Sequence, residues 1–429
     1  MEIELMDPSS AKQDVPNWFL PLRDEEKMRG PTEICDLNND VMTEILLRLP
    51  LRPLITSKCV SKHWYGLLSG VSIKPQLAHT TGVFSYDDGD EWGYLRHVPE
   101  ADDEYAQDVH SAVDTALSFL PTFPDVLVVA GSHGLLLATA GTQKRGGSFF
   151  VCNPLTKKYR EVPRPRTARG HRMRMHSVGL DFNPKTSPFF KIIFYRHSHD
   201  RLFRKRTANR PLELELEIYS SEVGKWVNSE ATEWASASCT YTHMVSLNGV
   251  IYRVDRKQQQ EEEEEEEQQA KQKIVEVDEL RVPVATATSS YGSIGQAAGS
   301  IYYAYGDKEK STVWVLREEK GKASWWELKH HVTMSKFTGL AERDLGAGDW
   351  KNIVYQPMVF LSSHELAFLE DSGGGVIYDC DKARFKRMEI VRQHGITSAR
   401  FKAFPFTPCL YDPSLASAVP AAAGASTSG

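Results

Sequence analysis

A chain of 429 residues exceeds one small domain and leaves room for two or three. With 41% apolar, 25% charged and 10% aromatic residues it can bury at least one sizeable core, which excludes a mostly disordered protein. The formal net charge of -6 is a local matter, because Glu261–Glu267 is an unbroken acidic run, and the balance argues for no particular partner.

Residues 1–30 mix proline, glycine, lysine and acidic residues without periodicity, which predicts a flexible leader with a short contact at Trp18–Leu20. Glu2, Glu4 and Asp7 stand where a secretory signal would be basic and then apolar. No stretch reaches the roughly 18 apolar residues of a membrane span. The expectation is a protein of the cytoplasm, the nucleus or both, with no membrane partner. Cys35, Cys59, Cys152, Cys239, Cys380 and Cys409 form no C-x-x-C pair, which predicts idle thiols rather than a zinc module or a disulfide framework.

From Leu37 to Leu68 the apolar spacing is helical. Leu37, Val41 and Ile45 recur every four residues, as do Met42 and Leu46. Asn38, Asn39 and Asp40 offer acceptors for the free N–H groups of a helix start, and Pro50 stops a helix running through Leu49. Pro53 suits the first turn of a second helix carrying Leu54, Cys59 and Val60. Ser61 can cap a third, with Trp64, Leu67 and Leu68 inward and Gly70 at its end. So short a segment leaves apolar surface for a neighbour, since units below about 40 residues seldom fold alone.

Leu37-Asn38-Asn39-Asp40-Val41, Glu44-Ile45-Leu46-Leu47-Arg48-Leu49-Pro50 and Cys59-Val60-Ser61-Lys62-His63-Trp64 together resemble the F-box. Asn38 departs from that pattern, standing where the family usually has proline and removing a rigid start from the contact with the partner. The resemblance implies docking on a Skp-type adaptor through Leu37, Val41, Ile45, Leu46, Leu49, Pro50, Val60 and Trp64, some of which must instead pack the three helices together. The expected F-box domain spans residues 31–72.

After Ser72 the period changes to short apolar or aromatic runs broken by Gly, Pro, Asn and Asp, and no long helix is signalled. A unit recurs in which a strand ends in an aromatic or Cys, turns, and meets another aromatic seven residues on. The copies are Cys152–Tyr159, Tyr219–Trp226 and Tyr378–Phe385, with a looser one from Val313 to Trp326. Earlier strands of the unit rhyme at His133-Gly134, Asn248-Gly249 and Ala298-Gly299-Ser300. Repeated four-stranded sheets of about 45 to 60 residues suit a β-propeller, and residues 73–413 would make about five or six blades. Gly146-Gly147 ahead of Tyr159 and Gly374-Gly375 ahead of Tyr378 resemble degenerate kelch repeats, and the whole stretch is similar to the F-box-associated domains of plant proteins. Phe404-Pro405-Phe406-Thr407-Pro408 would return the chain to close the ring. A pair of β-sandwiches is the competing architecture. The fold class is thus multidomain α+β, a three-helix F-box followed by an all-β propeller-like domain. Residues 255–273, around the glutamate run, are expected to be a solvated acidic insert, and residues 414–429 a disordered tail.

The chain has no G-x-S-x-G elbow, P-loop, H-E-x-x-H or G-x-G-x-x-G, and Gly292 to Gly299 reads as a strand connection. His197 with His199, and His330 with His331, lack further ligands at metal spacing. No cofactor, metal or catalytic group is implied. Lys157, Lys158, Arg160, Arg164, Arg166, Arg169, Arg172 and Arg174, joined by Arg201, Arg204, Lys205, Arg206 and Arg210, make a basic stretch. Within it Arg164, Arg166, Arg169, Arg172 and Arg174 are the candidates to hold an acidic or phosphorylated segment, with solvated loops as the alternative. Missing interleaved aromatics and the acidic run Asp87–Glu91 argue against nucleic acid.

A helical element with spare apolar surface, joined to a repeat domain without chemistry, is an adaptor's layout. The resemblance implies a non-catalytic substrate-recognition subunit of a cullin-based SCF-type ubiquitin ligase, reaching the cullin through the Skp-type adaptor and holding an unknown protein on the β-domain. The rivals are a scaffold using the F-box outside a ligase, and a propeller-type glycan-binding or glycan-processing protein with central carboxylates such as Asp181, Asp255 and Asp379.

Overall fold

The computed structural model describes residues 37–70, 81–87, 92–97, 104–123, 125–140, 148–165, 178–184, 186–197, 212–235, 244–247, 250–254, 276–280, 292–306, 309–318, 324–346, 356–369, 375–392 and 401–415. The leader and nearly all of the tail and the acidic insert lie outside these residues. The chain divides into two compact units, Met1–Leu49 and Pro50–Gly429.

In the first unit the helix α1 (Asn39–Leu47) starts where the sequence predicts. Asn38 is its N-cap, and the Asn38 side chain accepts a 2.8 Å hydrogen bond from the Val41 N–H. The residue that departs from the F-box pattern therefore has its own way of starting the helix, by satisfying a donor that proline would leave free. Met42 and Leu46 are buried at 1% exposure.

The second unit opens with α2 (Leu51–Ser57) and α3 (Lys62–Gly70). Pro53 sits in the first turn of α2, where a missing N–H costs nothing, and the Ser61 hydroxyl accepts from the Trp64 N–H at the start of α3. Leu51, Leu54 and Leu68 are fully buried.

The strands follow as antiparallel meanders. The first is β3 (Val126–Ser132), β4 (Leu135–Ala140), β5 (Phe149–Asn153) and β6 (Lys158–Val162). The second is β7 (Val178–Asp181), β8 (Lys191–His197), β9 (Leu212–Ser220) and β10 (Lys225–Ala235). The third has three strands among the described residues, β11 (Met244–Leu247), β12 (Val250–Val254) and β13 (Glu276–Leu280), the last parallel to β12. The fourth is β14 (Gly292–Ala297), β15 (Ser300–Gly306), β16 (Lys310–Arg317) and β17 (Trp325–Thr333). The fifth is β18 (Gln356–Phe360), β19 (Glu365–Leu369), β20 (Gly375–Asp379) and β21 (Arg384–Arg392).

The sixth blade joins the two ends of the strand region. β22 (Phe401–Phe406) pairs with β1 (Gly82–Asp87), β1 pairs with β2 (Trp92–His97), and β2 pairs with the far half of β21. β21 is shared: Arg384–Met388 pairs with β20, and Met388–Arg392 continues along β2. The first strands touch in a closed circuit, β22 to β3, β3 to β7, β7 to β11, β11 to β14, β14 to β18 and β18 back to β22. Among the described residues that circuit of six inner strands makes a propeller and excludes the paired sandwich. Closure by strands from opposite ends of the strand region leaves only the short inner edges of the blades.

The seven-residue rhyme read in the sequence is the cross-strand pair of each outer hairpin. Cys152 faces Tyr159, Tyr219 faces Trp226, and Tyr378 faces Phe385 in register. The rings of the last two pairs lie 5.6 Å and 4.8 Å apart. In the fourth blade the outer turn is longer and Trp326 faces Leu316 rather than Val313. Two of the inner hairpins, His133-Gly134 and Ala298-Gly299, carry positive φ at both turn residues, the backbone that matches strand twist.

Two helices interrupt a region where the sequence signals none of length. These are α4 (Glu104–Ala112) and α5 (Met334–Leu345). α5 lies against β17 and β21. Phe337 on it is fully buried with its ring 5.1 Å from Phe368, 5.1 Å from Tyr378 and 4.6 Å from Phe385. The helix is three turns long and its inward stripe rests on Phe337 and Ala341, too brief to stand out among strand-length runs.

Candidate functional site

On α1 the side chains split by position. Val41 at 44% and Ile45 at 42% stay exposed, beside the exposed ion pair between Glu44 and Arg48, while Leu46 is buried and belongs to packing. Leu37 and Leu49 are half-buried and Pro50 is exposed. In the second unit Val60, after α2, is 64% exposed, and Trp64 on α3 is half-buried. Of the eight residues expected at an adaptor contact, Val41, Ile45, Pro50 and Val60 therefore offer open surface, three of them apolar side chains that water disfavours.

A four-stranded meander places its first and third turns at one end and its second turn at the other. In this ring the first kind of end, the turn rim, carries the short hairpins His133-Gly134, Asn153 to Lys158, Ser220 to Lys225, Ala298-Gly299 and Asp379 to Arg384. The opposite rim holds the strand ends joined by residues 141–148, 163–177, 198–211 and 281–291, whereas 255–275 links that rim to the turn rim, because β13 runs parallel to β12.

Arg164 is displaced from its expected role. It is 6% exposed, its guanidinium donates to the Thr139 hydroxyl at 2.9 Å and lies 5.6 Å from the centre of the Phe149 ring, and burial holds its pKa below the usual arginine value. It packs the first blade and does not present a surface cation. Its neighbour Pro163 accepts from the Trp226 indole at 2.6 Å. Arg166, Arg169, Arg172 and Arg174 lie outside the described residues.

Among the described residues, the two carboxylates of the glycan reading lie on different blades. Asp181 ends β7 in the second blade, Asp379 ends β20 in the fifth, and Asp255 lies outside the described residues. Asp379 is 3% exposed and its Oδ1 accepts from the N–H groups of Asp381 and Lys382 at 3.0 Å each, the geometry of a turn anchor. His364, Glu365 and Asp379 bring three possible metal-ligand atoms within 4.8 Å of one another. The free oxygen of Asp379 already faces the Lys382 ammonium at 3.7 Å, so the cluster carries its own cation. His330 accepts or donates to the Tyr378 hydroxyl at 3.3 Å, and burial lowers its pKa. Burial pushes the Cys380 thiol up to about 12 and Cys409 up to about 11, which makes both poor nucleophiles. Among the described residues no helix is long and apolar enough to cross a membrane.

Sequence reasoning missed a set of polar residues at the turn rim: Lys58, Tyr65, Asn153 and Asp412. Asn153-Pro154 is a turn signal, but nothing local tells that the Asn153 amide reaches Cys409 and Tyr411 across 256 and 258 residues of chain.

Comparison with known proteins agrees with this geometry. Residues 34–76 match the F-box domain model, and residues 117–360 match the model of the F-box protein At3g26010-like β-propeller. The F-box protein At5g07610 of Arabidopsis thaliana is 25% identical over 208 residues, covering 46% of this chain and 45% of that protein. The F-box protein At5g49610 of the same plant is 26% identical over 219 residues, covering 50% and 55%. The chain thus aligns with about half the length of the curated relatives it matches. A chain from a structural study of two prolyl endopeptidases aligns with 82% of this one at 9% identity and a TM-score of 0.25, too low to bear on the function.

Proposed function

This chain belongs to the At3g26010-like β-propeller family of F-box proteins, and from that premise we propose that it is a substrate-recognition subunit of a cullin-based SCF-type ubiquitin ligase. The F-box docks a Skp-type adaptor, which links it to the cullin, and the propeller holds the protein to be ubiquitinated. The observation that carries this reading is an F-box match whose helix α1 keeps Val41 and Ile45 exposed while Met42 and Leu46 are buried. A helix that served only for packing would have no use for a second apolar face.

In this role the chain performs no bond chemistry. Holding a substrate near a charged ubiquitin-conjugating enzyme turns a bimolecular encounter into a tethered one at high effective concentration. We place the substrate on the rim opposite the short turns, where the long connections between strands begin and end, and assign Arg166, Arg169, Arg172 and Arg174 of the β6–β7 connection to an acidic or phosphorylated segment of it. Arg164 has no part in that contact.

The test is binding of the purified chain to a Skp-type adaptor, with Ile45→Asp as the comparison. A point substitution is used because α2 and α3 belong to the same compact unit as the ring. Binding by the intact chain and its loss in folded Ile45→Asp supports the proposal. Equal binding by both would remove α1 from the contact, and no binding by the folded intact chain would leave the scaffold and glycan readings.

A further inference from the structure

Residues 408–413 are buried although they form almost no regular structure. Buried backbone without a ladder must find partners elsewhere, and this segment finds them on three sides. The Asn153 amide donates to the carbonyls of Cys409 at 2.9 Å and Tyr411 at 2.8 Å, while its own oxygen accepts from the Leu155 N–H at 2.9 Å. The Tyr411 hydroxyl donates to the Pro188 carbonyl, and its ring lies 4.6 Å from Phe182 in the second blade. From the helical side, the Lys58 ammonium at the end of α2 donates to the Leu410 carbonyl at 2.7 Å, and the Tyr65 hydroxyl on α3 donates to Asp412. Lys58 also lies 5.7 Å from the centre of the Tyr65 ring. Asp412 is 1% exposed, and its other oxygen accepts from the N–H and hydroxyl of Ser414.

The strap begins directly after β22, the strand that closes the ring, and crosses the first blade at Gly134. A Cβ there would stand 2.4 Å from the Thr407 carbonyl and 2.8 Å from the Cys409 sulfur. The segment that follows the closing strand therefore spans two blades and receives α2 and α3. A second tie lies further out, where Arg52 on α2 reaches Ser111 at 3.0 Å and Asp108 at 3.8 Å on α4.

We propose that Lys58, Tyr65 and Asp412 form a latch that fixes α2 and α3 to the ring as one rigid piece, and that these three are positioning residues for ubiquitin transfer. They bind neither adaptor nor substrate. Their work is to hold the adaptor-docking end of α2 at a set distance from the opposite rim, so that a held substrate meets the conjugating enzyme in a narrow range of places. A linker that swings would dilute the effective concentration on which the transfer depends.

The functional half of this inference rests on the ligase reading, so two measurements separate them. The first needs the full chain alone. Amide hydrogen exchange is compared for wild type, Lys58→Met with Tyr65→Phe, and Arg317→Gln, a surface change in the fourth blade. The latch predicts that exchange across residues 51–70 rises at least tenfold in the double variant, with β3, β15 and β20 unchanged, and that Arg317→Gln moves neither. Unchanged protection of 51–70, or equal loss of protection in the ring, overturns it.

The second uses the assembled ligase with the chain itself as acceptor. Mass spectrometry of the modified lysines should show a narrow set in wild type and a broader one, at similar adaptor affinity, in the double variant. An identical set at identical rates overturns the positioning role even if the exchange result stands. Failure of wild type to bind the adaptor counts against the ligase reading and against the transfer role, while the exchange experiment still decides whether the latch exists.

Discussion

The two rims of the propeller solve different problems. At the turn rim, connections are a few residues long, an Asn or Asp side chain anchors two of the outer turns, and a buried strap lies across Gly134. At the opposite rim several connections are long, including the arginine-rich 163–177 and 198–211. A rim of tight turns fixes geometry, because short turns close on their own hydrogen bonds, as the Lys157 N–H does on the Asn153 carbonyl and the Gly224 N–H on the Ser220 carbonyl. A rim of long connections can vary in length and chemistry without disturbing the sheets beneath. α2 and α3 are attached at the first rim, through Lys58 and Tyr65.

The contrast breaks most sharply at Gly134, which has φ of 85° and no room for a side chain. Gly134→Ala should cost about 3 kcal/mol or more, from left-handed strain plus the collision with the strap. Thermal unfolding should show it as a drop in the midpoint of the whole ring, whereas Gly299→Ala, with the same sign of φ but open space around it, should cost less. Equal losses would mean that the strap does not press on the first blade.

Phe337→Ala removes the ring that α5 inserts between the fourth and fifth blades. A loss of roughly 3–5 kcal/mol is expected in denaturant unfolding, because the cavity is walled by Phe368, Tyr378 and Phe385.

At α1 the effect should fall on binding and spare the fold. Ile45→Asp, at a site 42% exposed in the free chain, should leave the circular dichroism spectrum unchanged while weakening adaptor binding by about 2 kcal/mol or more, some thirtyfold, if the side chain is buried at the contact. Leu46→Asp should instead unfold α1, since its site is already closed to water.

The latch sharpens the comparison through pH. Burial lowers the Lys58 ammonium from 10.5 to about 8, with Asp412 pulling the other way, whereas Tyr65 is pushed up to about 12, first by burial and then by its hydrogen bond to Asp412. Between about pH 8 and 10.5 the unfolded chain holds the Lys58 proton and the folded chain has released it. The unfolded state then binds more protons, so the contribution of this site to stability rises with pH across that window, while Tyr65 keeps its proton as donor. Urea unfolding from pH 7.5 to 10 should show this rise in wild type relative to Lys58→Met, and parallel curves would count against it. The smallest effect belongs to the exposed Glu44–Arg48 pair, where Arg48→Gln should change stability by under about 0.5 kcal/mol.

What the sequence determined by itself is whatever depends on near neighbours. The caps at Asn38 and Ser61, the stop at Pro50 and the aromatic pairs seven residues apart are local chemistry, and each stands where the pattern puts it. The tertiary structure decided what depends on distant partners. It turned Arg164 inward, because Thr139 and Phe149 close over it from strands that the linear pattern does not bring beside it. It split the F-box motif between two compact units at Leu49, because a motif is defined by what its residues spell in order and a unit by what they touch. It joined β22 to β1 and Tyr65 to Asp412 across more than three hundred residues of chain, since a ring can close only where its two ends meet.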